Sequence, residues 1–152
     1  LGALKYFMLR VDPKKRMVFN PEESIDFNGH TGSFIQYTYA RIQSILRKFE
    51  ADGGEVSFEL PVALHEKERE LIKTNLEYPA VVQQAADEYN PALVANYAYE
   101  LVKHYNQFYQ NCHILGAEDA QLKAFRVGLS GLTARVVEQA MGLLGIDMPE
   151  RM

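Results

Sequence analysis

The chain has no tryptophan, one cysteine and no apolar run approaching eighteen residues. A membrane-spanning helix needs about twenty consecutive apolar residues, and no export-signal layout is visible at the N-terminal end, so a soluble chain is expected. Cys112 has no partner for an internal disulfide and no C-x-x-C neighbour for zinc, which fits a reducing compartment and makes the cytoplasm the expected location. His30, His65, His104 and His113 have no carboxylate or thiol at ligand spacing except in the adjacent pair Cys112-His113, whose side chains diverge by about 100° on a helix. No metal site is expected. The phosphate loop G-x-x-x-x-G-K-[ST], the G-x-S-x-G elbow and the H-E-x-x-H motif are absent. The chain is therefore expected to hold no catalytic residue and no cofactor of its own.

Charge of one sign is not in excess where it first appears to be. The net charge of −4 argues against a phosphate-rich partner, because nucleic-acid surfaces are normally basic. The average conceals a polarity: residues 1–50 hold 8 Lys and Arg against 5 Asp and Glu, residues 51–89 hold 3 against 9, and residues 90–152 hold 5 against 6. A nucleic-acid surface built from the first and last parts, with the acidic middle as a solvated back, is compatible with this distribution. At 152 residues and 47% hydrophobic, the chain can bury one domain core, with room for a short appended piece.

The periodicity is helical throughout. Gly29 and Gly32 break the chain, and Ser33 with Gln36 has the S-x-x-Q spacing of a capping box, so a helix is expected to start there. Ile35, Tyr39, Ile42, Leu46 and Phe49 form its apolar stripe; Tyr37, Arg41, Ser44 and Lys48 form a polar, partly basic one. Before it, Ala3 to Val11 reads as a short helix stopped by Asp12-Pro13, Lys14-Lys15-Arg16 as a solvated basic turn, and Met17-Val18-Phe19 as an extended piece entering another helical turn. After it, residues 51–55 read as a loop and Val56 to Pro61 as extended.

His65 to Lys73 reads as a surface helix whose charges are a wet face. Pro79 opens a helix through Val82, Ala85, Ala86 and Tyr89. Asn90 caps the next, which runs from Pro91 to about Ile114 with Val94, Ala98, Leu101, Tyr105, Phe108 and Cys112 at core spacing and Gly116 at its end. Glu118 and Asp119 suit the first turn of the last helix. There Leu122, Phe125, Leu129, Leu132, Val136, Ala140 and Leu143 make a bundle seam, and Gly128, Ser130 and Gly131 allow close helix approach. Gly145 followed by Ile146 fits a Schellman stop. The expected architecture is all-α, a bundle of five to six helices.

Tyrosine is the surplus, with nine residues. Tyr97, Tyr99, Tyr105 and Tyr109 crowd one helix. Unpaired RNA bases are bound by stacking on aromatic rings and by hydrogen bonds at their exposed edges, and tyrosine supplies both. Tyr97 and Tyr105 fall on the core stripe, whereas Tyr109 lies beside it, and Asn96, Lys103 and Asn106 occupy more polar positions.

Two separated stretches resemble one family. Phe19-Asn20-Pro21, Gly29-x-Thr31-Gly32-x-Phe34-x-Gln36-Tyr37 and Ala40-Arg41 resemble the junction in arginyl-tRNA synthetases between the class I catalytic body and the helical anticodon-binding domain. Leu143-Leu144-Gly145-Ile146 and Pro149-Glu150-Arg151-Met152 resemble the end of the same enzymes. The resemblance covers essentially the whole chain. It implies that residues 1–27 end the catalytic body, that residues 28–152 are the anticodon-binding domain, and that Leu1 lies inside a longer protein. The H-x-G-H and K-M-S-K-S type motifs of class I activation are absent, so the chain is expected to be inactive by itself.

The implied parent is an arginine–tRNA ligase using ATP and Mg²⁺, and the implied partner is the anticodon stem-loop of arginine tRNA, together with intramolecular packing on the catalytic domain. No membrane partner and a monomeric state are expected. The RNA-binding residues expected from the matched motif, the tyrosine helix and the family ending are Gln36, Tyr37, Tyr39, Arg41, Lys48, Asn106, Tyr109, Arg151 and Met152. Two alternatives stay open: a helical protein-docking module using the Tyr37 and Arg41 face, and the anticodon-binding domain of a different class I synthetase.

Overall fold

Helix-forming sequence dominates the computed structural model, which describes residues 1–18, 20–26 and 29–152. Among the described residues it comprises α1 (Gly2–Leu9), the single turn α2 (Pro21–Ser24), α3 (Gly32–Ala51), α4 (Glu66–Leu76), α5 (Tyr78–Asp87), α6 (Ala92–Asn111) and α7 (Ala120–Leu143), with no strand. The all-α bundle is as expected. Phe19, Phe27 and Asn28, which belong to the matched motif and the expected domain boundary, lie outside the described residues.

The core forms where α6 is enclosed by α3, α4, α5 and α7. Ala98, Leu101, Val102, Tyr105 and Phe108 are fully buried on α6, facing Ile35 and Ile42 of α3, Leu71 of α4, and Val127, Val137 and Met141 of α7. Each large side chain removed from water contributes about 1.5–3 kcal/mol. Tyr6 of α1 is also fully buried, and its hydroxyl donates to the Ala95 carbonyl of α6 at 2.9 Å. The first helix thus shares the bundle core. Tyr97 and Tyr105 are core residues as their stripe implies, their hydroxyls donating to the Thr74 carbonyl at 2.8 Å and the Ser130 hydroxyl at 3.2 Å.

Several local expectations are corrected. Ser33 does not cap α3: Thr31 does, its hydroxyl accepting from the Phe34 N–H at 3.2 Å, while Ser33 lies buried inside the helix. Helix α6 ends at Asn111 because Cys112 turns extended (φ −122°, ψ 123°), so Gly116 is not its cap. Asp119 is the N-cap of α7 and accepts from the Gln121 N–H, rather than sitting in the first turn. Ala86 is exposed and Tyr89 lies beyond α5 at φ 51°. Leu132 and Leu143 of the expected seam are 37% and 60% exposed.

The glycines of α7 serve different neighbours. A side chain at Gly128 would collide with the Ser57 carbonyl oxygen at 2.7 Å, so this residue admits the segment after α3 and not another helix. Gly131 faces Leu46 of α3. The Schellman stop is present: Gly145 has φ +67°, the Ile146 N–H returns to the Met141 carbonyl at 3.0 Å, and Ile146 is buried.

The charged helix α4 is not a wet face on every side. Glu68 is fully buried and accepts from Arg126 Nε at 2.7 Å and from the His65 N–H at 2.7 Å, closing a capping box with His65. Arg126 also donates to the His113 carbonyl at 2.9 Å. One ion pair therefore joins the start of α4, the α6–α7 connection and α7. The pairing spans 58 positions, which helical periodicity alone cannot register.

Candidate nucleic-acid interface

The polar stripe of α3 faces outward next to the end of α6, because the apolar stripe on its other side is spent on the core. Between this stripe and the last residues of the chain lies a cleft of about 380 Å³ lined by Tyr37, Ala40, Arg41, Ser44, Arg47, Glu150, Arg151 and Met152. Arg41 is its centre. Its guanidinium carbon lies 5.0 Å from the Tyr37 ring centroid and 5.1 Å from that of Tyr109, within cation–π range of both. Asn106 fixes the arginine: its Oδ1 accepts from Arg41 Nη1 at 2.9 Å and its Nδ2 donates to the buried Thr38 hydroxyl at 3.0 Å. The cation is preorganised by α3 and α6 together.

Tyr37 and Tyr109 are 46% and 42% exposed, and Met152 62%. Half-exposed aromatic rings are the side chains on which unpaired bases stack, and arginine adds a charge for phosphate or a planar fork for a base edge. Lys48 opens onto a second hollow of about 330 Å³ with Tyr109, His113 and Ile114, and Tyr109 is linked to the first cleft through its contact with Arg41. Burial holds the Cys112 thiol in that hollow above its ordinary pKa, which makes it a poor thiolate.

Not every expected residue joins this face. Tyr39 is only 3% exposed, on the core stripe, and burial followed by the Glu138 carboxylate raises its hydroxyl pKa. Gln36 is engaged elsewhere, its Nε2 donating to the Asp147 carbonyl at 2.9 Å. Asn106 stands behind Arg41. Tyr37, Arg41, Arg151 and Met152 line the cleft, with Tyr109 against Arg41. Sequence reasoning missed Arg47. The helical step from Ser44 lands on Arg47 at i+3 and on Lys48 at i+4, and only the phase of α3 against α6 separates their surroundings.

The family model for the DALR anticodon binding domain matches residues 35–152. The chain belongs to the DALR anticodon-binding domain family. The arginine–tRNA ligase of Flavobacterium psychrophilum is 60% identical to this DALR chain over 152 residues, all of it and 25% of the relative. That of Porphyromonas gingivalis is 55% identical over 154 residues, again the whole chain and 26% of the relative. The arginyl-tRNA synthetase structure of Thermus thermophilus superposes on 99% of the chain with a TM-score of 0.86 and 32% identity, using 26% of that protein. The DALR chain thus spans about a quarter of the length of the curated relatives it matches.

Proposed function

We propose that this chain is the anticodon-binding part of an arginine–tRNA ligase, and that the cleft around Arg41 receives the unpaired bases of the anticodon loop of arginine tRNA. The observation that carries the reading is the Tyr37–Arg41–Tyr109 arrangement: two half-exposed rings flank a cation that Asn106 holds in place. Bases stack on Tyr37, Tyr109 and Met152; Arg41, Arg151 and Lys48 meet phosphates or base edges. Of the other residues expected to contact RNA, Gln36 and Asn106 act by holding the interface and Tyr39 acts from the core.

The longer protein would join arginine to its tRNA with ATP and Mg²⁺ on a class I catalytic body, and this chain alone would be inactive because the activation motifs are absent from it. Residues 1–27 would close that body and residues 28–152 form the RNA-binding domain. The exposed apolar side chains Leu4 and Met8 of α1 support packing of the first segment on the catalytic part. A cytoplasmic monomer with no membrane contact completes the proposal; no described helix is long and apolar enough to cross a membrane.

Filter or fluorescence binding of the anticodon stem-loop across a salt series tests the reading. Binding that weakens linearly in logarithmic salt, and that exceeds binding of the same stem closed by an unrelated loop, is the expected result. Salt-independent binding, or equal affinity for both loops, refutes it.

A further inference from the structure

Residues 145–152 run along α3 as an extended strap after the Schellman stop, and the strap is held by its backbone. Lys5 Nζ of α1 donates to the Gly145 carbonyl, Gln36 Nε2 to the Asp147 carbonyl at 2.9 Å, and Arg47 Nη1 and Nη2 to the Glu150 carbonyl at 3.3 and 3.4 Å. Between the first two ties Ile146 is buried, and Met148 packs on the core. Gln36 and Arg47 are eleven positions apart, about three turns and roughly 16 Å along the helix axis. The ties therefore begin near the start of α3 and reach its far half, delivering Arg151 and Met152 to the cleft beside Arg41.

We infer that Arg47 and Gln36 are positioning residues: they seat the last three residues as one wall of the cleft, and they affect RNA binding through that wall and not by touching RNA. The inference rests on the RNA-binding reading of the cleft, but its geometric half stands without RNA. The ties end on carbonyl oxygens, so they are indifferent to the side chains of the strap. Arg47 supplies the last tie, nearest Arg151 and Met152. Its removal frees the final residues while Ile146 and Met148 stay anchored.

The experiment combines ¹³C-methyl methionine spectra with RNA binding for the wild-type chain, Arg47→Ala, Arg47→Lys, Gln36→Ala, a chain lacking residues 150–152, and that truncation carrying Arg47→Ala. In Arg47→Ala the Met152 methyl signal is expected to sharpen and move to its unstructured position while Met148 stays put; Arg47→Lys restores part of the shift. Stem-loop binding should fall about 5- to 10-fold in Arg47→Ala, as for loss of an exposed charge-assisted hydrogen bond, and by less in Gln36→Ala. In the truncated chain Arg47→Ala should have no further effect, the non-additivity expected of residues acting as one unit.

An unmoved Met152 signal in Arg47→Ala overturns the inference. So does an equal loss from Arg47→Ala with and without the strap, which would make Arg47 a direct RNA contact. If the wild-type chain shows no loop preference, the RNA-binding reading fails, and the methyl spectra still decide whether Arg47 seats the strap.

Discussion

Arg126 and Arg41 are the same side chain put to opposite uses. Arg126 is 13% exposed and is matched to a fully buried carboxylate, Glu68, at 2.7 Å and to the His113 carbonyl at 2.9 Å. Arg41 forms no ion pair among the described residues; it gives an N–H to a neutral amide and lies between two rings that reach solvent. The first charge is neutralised to join α4 to α7. The second is held still but not neutralised, which is what an anionic ligand requires, since preorganised cations lose little entropy on binding. His30 is a third case: stacked on Tyr99 at 3.9 Å, its proton affinity is lowered by burial and then by the neighbouring Arg10 cation.

The contrast breaks most sharply at Glu68. Glu68→Ala leaves Arg126 facing the interior without its carboxylate, and unfolding by urea should show a loss of about 3–5 kcal/mol. Replacing both partners together, Glu68→Leu with Arg126→Met, should recover most of that loss. If the single and double variants are equally unstable, the pair is not a matched unit. Arg41→Met should do the reverse: about a 10-fold loss of stem-loop affinity, in the range of a cation–π and charge contribution, with stability within about 1 kcal/mol of wild type. A large loss of stability there would make Arg41 a second structural cation.

The smallest effect concerns His30. Because its pKa is lowered in the folded chain, the unfolded chain binds the proton first as pH falls. His30 therefore stabilises the fold above the ordinary histidine range near 6.5, and the contribution is lost as pH drops from there through the folded value. His30→Phe should flatten stability over that window. An unchanged pH profile would show that His30 is not held neutral.

Legibility followed range. The two stripes of α3, the core positions of α6, the burial of Tyr97 and Tyr105 and the Gly145 stop depend on neighbours within about five residues, where helical period and φ preference act. The cap of α3 escapes sequence reasoning even within that range, because Thr31 and Ser33 are both competent hydroxyls and the helix phase selects Thr31. What could not be read is pairing across the fold: Glu68 with Arg126, Gln36 with Asp147 and Arg47 with Glu150. Each uses an ordinary surface residue type whose role is set by the element that lies opposite. Tyr39 shows the converse, since the same spacing that puts it on the apolar stripe removes it from the interface.

The most direct measurement is the affinity of wild type and Tyr109→Ala for two hairpins that share a stem, one closed by the arginine anticodon loop and one by an unrelated loop. A wild-type preference for the arginine loop that disappears in Tyr109→Ala, with the variant still folded, is predicted. Equal affinity of both proteins for both hairpins would contradict base reading at this cleft.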